Sequence, residues 1–246
     1  MELARRVSPL IFARCYPTSA ACSFDSLVAR ELKPIGILGG VFDPVHYGHL
    51  ALATEAATRL DLAEVRFVPA NVPPHRGQPH ASAEQRVQML KLAISGDRCF
   101  AVDQSEVLRQ GPSYTVDTLN AMRGKLGGAR PLCLLMGVDA FAGLASWHRW
   151  NDLFELAHIV VVQRPGYDLK NLQSPLKEEL AKRKVKSWRA AFRKPSGAII
   201  LLKVKPVDIS ASMIREKLAA GKSTGDLLPP AVLDYIQKQG LYHGGG

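Results

Sequence analysis

The sequence predicts an α/β fold: a single domain built on a doubly wound parallel sheet with helices on both faces. Three observations lead there. From Ile35 onward, short apolar runs alternate with longer stretches of helical period. The apolar runs are continuous rather than alternating, the pattern of strands covered on both faces. A Gly-rich turn, Gly39-Gly40, joins the first strand to the first helix. In such sheets ligands lie beyond the carboxyl ends of the strands, where the strand order reverses.

The elements follow in order. Ile35–Leu38 reads as a buried strand and Leu50–Leu60 as the helix after it. Val65–Pro69 is a second strand, and Ala83–Ser95 a helix with Ser82 as its N-cap. Phe100–Val102 is a short strand, and Tyr114–Arg123 a helix capped by Ser113. Leu132–Met136, His158–Gln163 and Ala198–Val204 are further apolar strands. Ser212–Ala220 and Pro230–Gln239 close the chain as helices. There is no internal repeat and no linker, so one domain covers 35–242.

Composition narrows the function. Hydrophobic residues make up 47% of the 246, enough for a substantial core. No apolar run reaches the length of a membrane span. Cys15, Cys22, Cys99 and Cys133 form neither CxxC nor a zinc spacing and read as reduced thiols, the last two in apolar runs. The net charge is +10, and seven basic residues between Lys182 and Lys194, with no acidic one, supply most of it. Trp188 and Phe192 interleave that run. It reads as a solvated face that steers anionic substrates, with nucleic-acid binding as the less favoured alternative. Residues 1–34 carry faint marks of an export or lipoprotein signal, but the apolar stretch is short, holds Pro9 and is cut by Arg14. They are read as a disordered extension or the product of an upstream start codon, and 243–246 as a disordered tail.

The chemistry concentrates in Gly39-Gly40-Val41-Phe42-Asp43-Pro44-Val45-His46-Tyr47-Gly48-His49. Paired glycines let backbone approach a ligand, and a helix start offers N–H groups and a positive dipole end to phosphate. His46 and His49 are spaced to share a helix face, where their rings can donate hydrogen bonds to phosphate oxygens. A metal site is the other reading of such a pair, but no Cys or carboxylate stands at ligand spacing. Four further stations follow. Asn71-Val72-Pro73-Pro74-His75-Arg76 is a stiff loop presenting His75 and Arg76. Pro112-Ser113-Tyr114-Thr115 opens a helix. Gly137-Val138-Asp139 follows the central strand and leads to Ser146-Trp147-His148-Arg149-Trp150. Ile209-Ser210-Ala211-Ser212-Met213-Ile214-Arg215 opens another helix. Gly221-Lys222-Ser223-Thr224 resembles the end of a P-loop, but Glu216 stands where its first glycine belongs, and Gly221 reads as a helix C-cap.

The histidine pair resembles the signature of the nucleotidyltransferase superfamily, and the string GGVFDPVHYGH is similar to that of the bacterial nicotinate-nucleotide adenylyltransferases. The resemblance runs from about Ile35 to Tyr242. It implies a Rossmann-like nucleotidyltransferase fold and transfer of AMP from ATP to nicotinate mononucleotide, giving deamido-NAD and pyrophosphate, in the cytoplasm. It implies that His46, His49 and Arg215 are catalytic and that Gly39, Gly40, Phe42, Gly137, Asp139 and Ser212 help them bind ATP. It places Asp43, His75, Arg76, Tyr114, Thr115, Trp147 and His148 on the mononucleotide, with Trp147 stacked on the nicotinate ring and Trp150 packed in the core. Mg²⁺ is expected on the substrate phosphates, with no protein ligand named. A sister enzyme using nicotinamide mononucleotide or phosphopantetheine, and a non-catalytic nucleotide- or RNA-binding protein, are the alternatives. A homo-oligomer is compatible with the sequence.

Overall fold

Six apolar segments pair edge to edge in one all-parallel sheet: β1 (Ile35–Gly40), β2 (Glu64–Pro69), β3 (Phe100–Val102), β4 (Leu132–Gly137), β5 (His158–Gln163) and β6 (Ile199–Lys203). The computed structural model describes residues 32–71, 78–109, 111–163, 169, 172–204 and 207–243. The strand order is β3-β2-β1-β4-β5-β6, so the winding direction reverses between β1 and β4. In register, Leu38 of β1 stands beside Leu135 of β4, which brings Gly39-Gly40 and Gly137 to the same carboxyl edge.

Side chains leave each strand alternately. Leu38, Cys133, Leu135, Val160, Val162, Ile200 and Leu202 face one core layer. That layer is closed by α1 (Tyr47–Arg59), α2 (Ala83–Ala93), α8 (Ala211–Ala219) and α9 (Pro230–Lys238), which bury Leu50, Met89, Ile214 and Ile236. Ile35, Ile37, Leu132, Leu134, Met136, Ile159 and Val161 face the other. It is closed by α3 (Thr115–Leu126), α4 (Val138–Ala142), α5 (Leu153–Leu156) and α6 (Leu176–Arg183), through Leu119, Phe141, Phe154 and Leu176. The short α7 (Trp188–Ala191) completes the helices. Among the described residues, no helix is long and apolar enough to cross a membrane.

Local chemistry sets the ends of these helices. Ser82 caps α2 through a reciprocal pair of bonds with Gln85, as its position predicts. Gly221, at φ 63°, ends α8: its N–H bonds Leu218 O at 3.0 Å and the N–H of Lys222 bonds Lys217 O at 2.8 Å. The expected cap of α3 differs. Tyr114 occupies that position with no side-chain bond, and the Ser113 hydroxyl instead accepts the Asn71 N–H at 3.0 Å. The termini at 1–31 and 244–246 lie outside the described residues.

At the opposite end of the sheet, His158 is fully buried. Its Nε2 donates to Lys194 O at 2.9 Å, and its Nδ1 accepts the Ala198 N–H at 3.1 Å. Burial, chiefly, holds the ring neutral and its pKa below the usual histidine value. The unfolded chain takes up this proton more readily, so the group favours the fold above its ordinary pKa and loses that contribution as pH falls. His158→Gln should therefore be less stable than wild type at pH 7.5, with the gap narrowing toward pH 5. Thermal unfolding across that range checks it, and a gap independent of pH contradicts it.

Candidate active site

His46 ends the loop after β1 as the N-cap of α1, with extended backbone at φ −149°. Its Nδ1 accepts the N–H of Gly48 at 3.1 Å. His49 returns the favour: its Nδ1 accepts the N–H of His46 at 3.3 Å. An imidazole nitrogen that accepts carries no proton, so each neutral ring holds its proton on Nε2. The rings stack with centroids 3.8 Å apart at 29°. His46 is buried, and the edge of Phe42 supports His49 at 4.9 Å. The product is a pair of oriented Nε2–H donors.

Two glycines make room for this arrangement. A Cβ on Gly48 would lie 2.9 Å from His46 Nδ1 and 3.3 Å from Ile209 O. A Cβ on Gly40 would lie 3.0 Å from the Phe42 ring. Gly40 thus serves the packing of Phe42, whose φ is 54° and whose ring is buried. That ring packs against His49 and Phe67. Gly39 has open space beside it, as does Gly137. The α1 N-terminus departs from expectation. Its first N–H groups are taken by protein acceptors: Tyr47 by Leu227 O at 3.1 Å, Gly48 by the His46 ring, His49 by His46 O at 2.9 Å. Side-chain donors, rather than free backbone N–H groups, present themselves to an anion there.

Arg215, on α8, crosses to the same loop. Its guanidinium donates to Asp43 O at 2.7 Å and to Ser212 Oγ at 3.3 Å. Ser212 is exposed, while the neighbouring Ser210 hydroxyl is spent on capping α8 through the Met213 N–H. The Asp43 carboxylate is 5% exposed and faces protein donors: the N–H groups of His80 at 2.8 Å and Ala81 at 3.1 Å, and the Tyr242 hydroxyl at 2.6 Å. Burial pushes its pKa up, but the bond from Tyr242, the two backbone bonds and the Arg215 charge together hold it below the usual carboxylate value. Both oxygens being occupied by the protein, Asp43 organises the loop instead of offering its carboxylate to an acceptor.

Sequence reasoning missed the residue that joins the stations. Arg86, on α2, is 1% exposed, and its guanidinium gathers four carbonyls: Val41 at 2.9 Å, Ala70 at 2.6 Å, Asn71 at 3.2 Å and Ala81 at 3.2 Å. It therefore fastens the loop after β1 to the loop after β2. Asn71 passes the connection on through its bond to Ser113, and its side chain donates to Arg109 O at 3.3 Å. Thr118 Oγ1 donates to the buried Glu106 carboxyl at 2.7 Å. Burial raises the pKa of Glu106. Its signal in the sequence was a lone acid just upstream of Pro112-Ser113-Tyr114-Thr115. That of Arg86 was a charge amid the apolar face Val87, Met89 and Leu90.

Tyr114 and Thr115, half-buried, open α3. The ring of Tyr114 lies 4.3 Å from that of His148, so the third and fourth stations meet. Trp147 is half-buried beside the second core layer, and Trp150 sets its ring edge-on to Phe154 at 6.1 Å. Asp139 is exposed in the first turn of α4. His75 and Arg76 lie outside the described residues. In the basic run, Trp188 and Phe192 pack on the first core layer, Arg189 covers Trp188 at 4.3 Å, and Arg183 covers Phe154 at 4.5 Å while pairing with Glu179. These aromatic rings serve the core instead of standing out as a stacking platform for bases.

The chain matches known proteins over most of its length. The cytidylyltransferase-like family matches residues 37–217. A protein of Dechloromonas aromatica named "Probable nicotinate-nucleotide adenylyltransferase" is 47% identical over 212 residues, 85% of this chain and 98% of its own. One of Halorhodospira halophila with the same name is 46% identical over 213 residues, 87% and 97%. Among solved structures, Plasmodium falciparum nicotinic acid mononucleotide adenylyltransferase complexed with NaAD superposes with a TM-score of 0.64 at 19% identity, covering 85% of this chain and 97% of that one. The likeness to that structure shows the fold. A Gly-rich turn at the strand-order reversal, a paired imidazole donor behind it and an early-helix arginine beside it, with this identity across nearly the whole length of the relatives, place the chain in the cytidylyltransferase-like nucleotidyltransferases, as a member of the nicotinate-nucleotide adenylyltransferase family.

Proposed function

We propose that the protein transfers the adenylyl group of ATP to nicotinate mononucleotide, forming nicotinate adenine dinucleotide and releasing pyrophosphate in NAD biosynthesis. The observation that carries this reading is the pair of Nε2–H donors gathered with Arg215 at the carboxyl edge of β1, in a chain 46–47% identical to relatives bearing that name. A phosphate oxygen of the mononucleotide attacks the α-phosphorus. The bond from that phosphorus to the bridging oxygen breaks, and pyrophosphate leaves with the electron pair. The acceptor brings its own nucleophile, so the protein's work is positioning and charge stabilisation.

The parts divide accordingly. His46 and His49 donate to the α-phosphate oxygens, and these bonds strengthen as charge builds there. Arg215 and Ser212 hold the β- and γ-phosphates, with Gly39 and Gly137 leaving room for the nucleotide and Asp139 accepting from ribose hydroxyls. Tyr114, Thr115, Trp147 and His148 receive the nicotinate, and His75 and Arg76 contact phosphate. Among the described residues, no three His, Cys, Asp or Glu side chains group to hold a metal ion. The phosphate-facing set of imidazoles, guanidinium and hydroxyl suits an ion carried by substrate oxygens and water. We read that ion as Mg²⁺, which when bound neutralises charge on the leaving pyrophosphate.

His49→Ala should lower kcat on the order of 100-fold with the fold intact. Gly48→Ala should lose roughly as much through displacement of the His46 ring, since an error of about 1 Å in placement is that costly. Pyrophosphate release measures both, and turnover of both variants near wild type contradicts the assignment.

Acceptor choice follows from the same site. Nicotinamide mononucleotide replaces the carboxylate by an amide, which leaves a donor unpaired at about 1–3 kcal/mol. The specificity constant for the acid should exceed that for the amide by at least about tenfold. A panel of acceptors including phosphopantetheine tests this, and equal rates with acid and amide contradict it. Chelation with EDTA should abolish turnover and added Mg²⁺ restore it, while nicotinate mononucleotide still quenches Trp147 fluorescence in EDTA. Full turnover in EDTA contradicts the cation reading.

A further inference from the structure

The chain returns to its first loop at its far end. Gly240, at φ 61°, terminates α9: its N–H bonds Gln237 O at 3.2 Å, and the Leu241 N–H bonds Ile236 O at 3.0 Å. This turn sets Leu241 against the first core layer and aims Tyr242 at the loop after β1. Tyr242 sits at φ 62°, a left-handed backbone that is strained for a bulky residue and persists only where its surroundings insist on it. What insists is the 2.6 Å bond from its hydroxyl to Asp43 Oδ1, the shortest of those Asp43 accepts.

Asp43 is three residues from His46, and its own carbonyl accepts from Arg215. The groups facing its carboxylate come from several elements: Tyr242 after α9, His80 and Ala81 ahead of α2, Arg215 on α8, and the Arg86 charge on α2. Two side chains donate to it, the Tyr242 hydroxyl at 2.6 Å and the His80 Nδ1 at 3.3 Å, and the shorter bond can be removed with backbone and charges left in place. A hydroxyl given to a buried carboxylate is among the stronger hydrogen bonds.

We propose that Tyr242 is a positioning residue for adenylyl transfer: its hydroxyl fixes the Asp43 carboxylate and thereby the separation of the histidine pair from Arg215. The inference rests on the activity proposed above. It assigns a part in the reaction to the turn after α9, beyond residue 217, where the cytidylyltransferase-like match ends.

The test is Tyr242→Phe, which removes the hydroxyl alone. The expected result is a kcat lowered about tenfold with KM for ATP changed by less than about twofold, because placement in the transition state is lost rather than ground-state binding. In an Asp43→Asn background the same change should cost less than about twofold, since the two groups act as one unit. Tyr242→Leu, which also lacks the hydroxyl but keeps an apolar side chain on the core in the full-length chain, should match Tyr242→Phe and decides the matter if that variant does not fold. An unchanged kcat, or an equal loss with and without Asp43→Asn, overturns the proposal. A wild-type protein releasing no pyrophosphate from ATP and nicotinate mononucleotide instead overturns the activity itself.

Discussion

Two backbone N–H groups pointed at two imidazole nitrogens govern the rest of the site. Gly48 N–H on His46 Nδ1 and His46 N–H on His49 Nδ1 decide where each ring proton sits. They also tie ring orientation to the first turn of α1, so the donors are as rigid as the helix. Double protonation is opposed twice. It would place N–H against N–H at both nitrogens, and it would set two positive charges about 4 Å apart at a cost of about 4 kcal/mol at an effective dielectric of 20. The geometry thus favours neutral rings donating through Nε2 in the proposed reaction, beside the fixed positive charge of Arg215.

The loops around this pair are held by buried polar side chains reaching across the fold. Arg86 collects carbonyls from both loops at the carboxyl edge, Asp43 collects N–H and hydroxyl donors, and Glu106 accepts the Thr118 hydroxyl in α3. Arg86 and Asp43 are each satisfied by several partners, which is the condition for a buried charge to be tolerated. A run of such anchors from Val41 through Asn71 to Ser113 joins the loop after β1 to the start of α3. In the proposed reaction, placement of the two substrates would depend on that one connected network.

Most strands were legible because both faces of the sheet are covered, which makes their sequences nearly continuously apolar; β2 still read as a strand around the charged Arg66, which pairs with Glu64. The long helices were legible by period and caps. α4, α5 and α7 were not: they run four or five residues, too short to show a period. α6 fully buries only Leu176, with Leu180 half-buried beside it, and its remaining residues except Ala181 are charged. The residues at the site stood out because Gly, His and Arg at those spacings carry chemistry. Their supports did not, because the partners are distant in sequence: Tyr242 and Asp43 are 199 residues apart, Arg86 and Val41 45. The free N–H groups expected at α1 failed for the same reason, since Leu227 fills one of them from the far end of the chain.

The neutral donor pair is the claim on which the mechanism stands, and ¹⁵N chemical shifts of the histidine side chains address it directly. At pH 7.5, in protein labelled on its imidazole nitrogens and assigned through His46→Gln and His49→Gln, both rings should show a protonated Nε2 and an unprotonated Nδ1. A proton on Nδ1 of either ring, or a doubly protonated ring at that pH, would contradict the account.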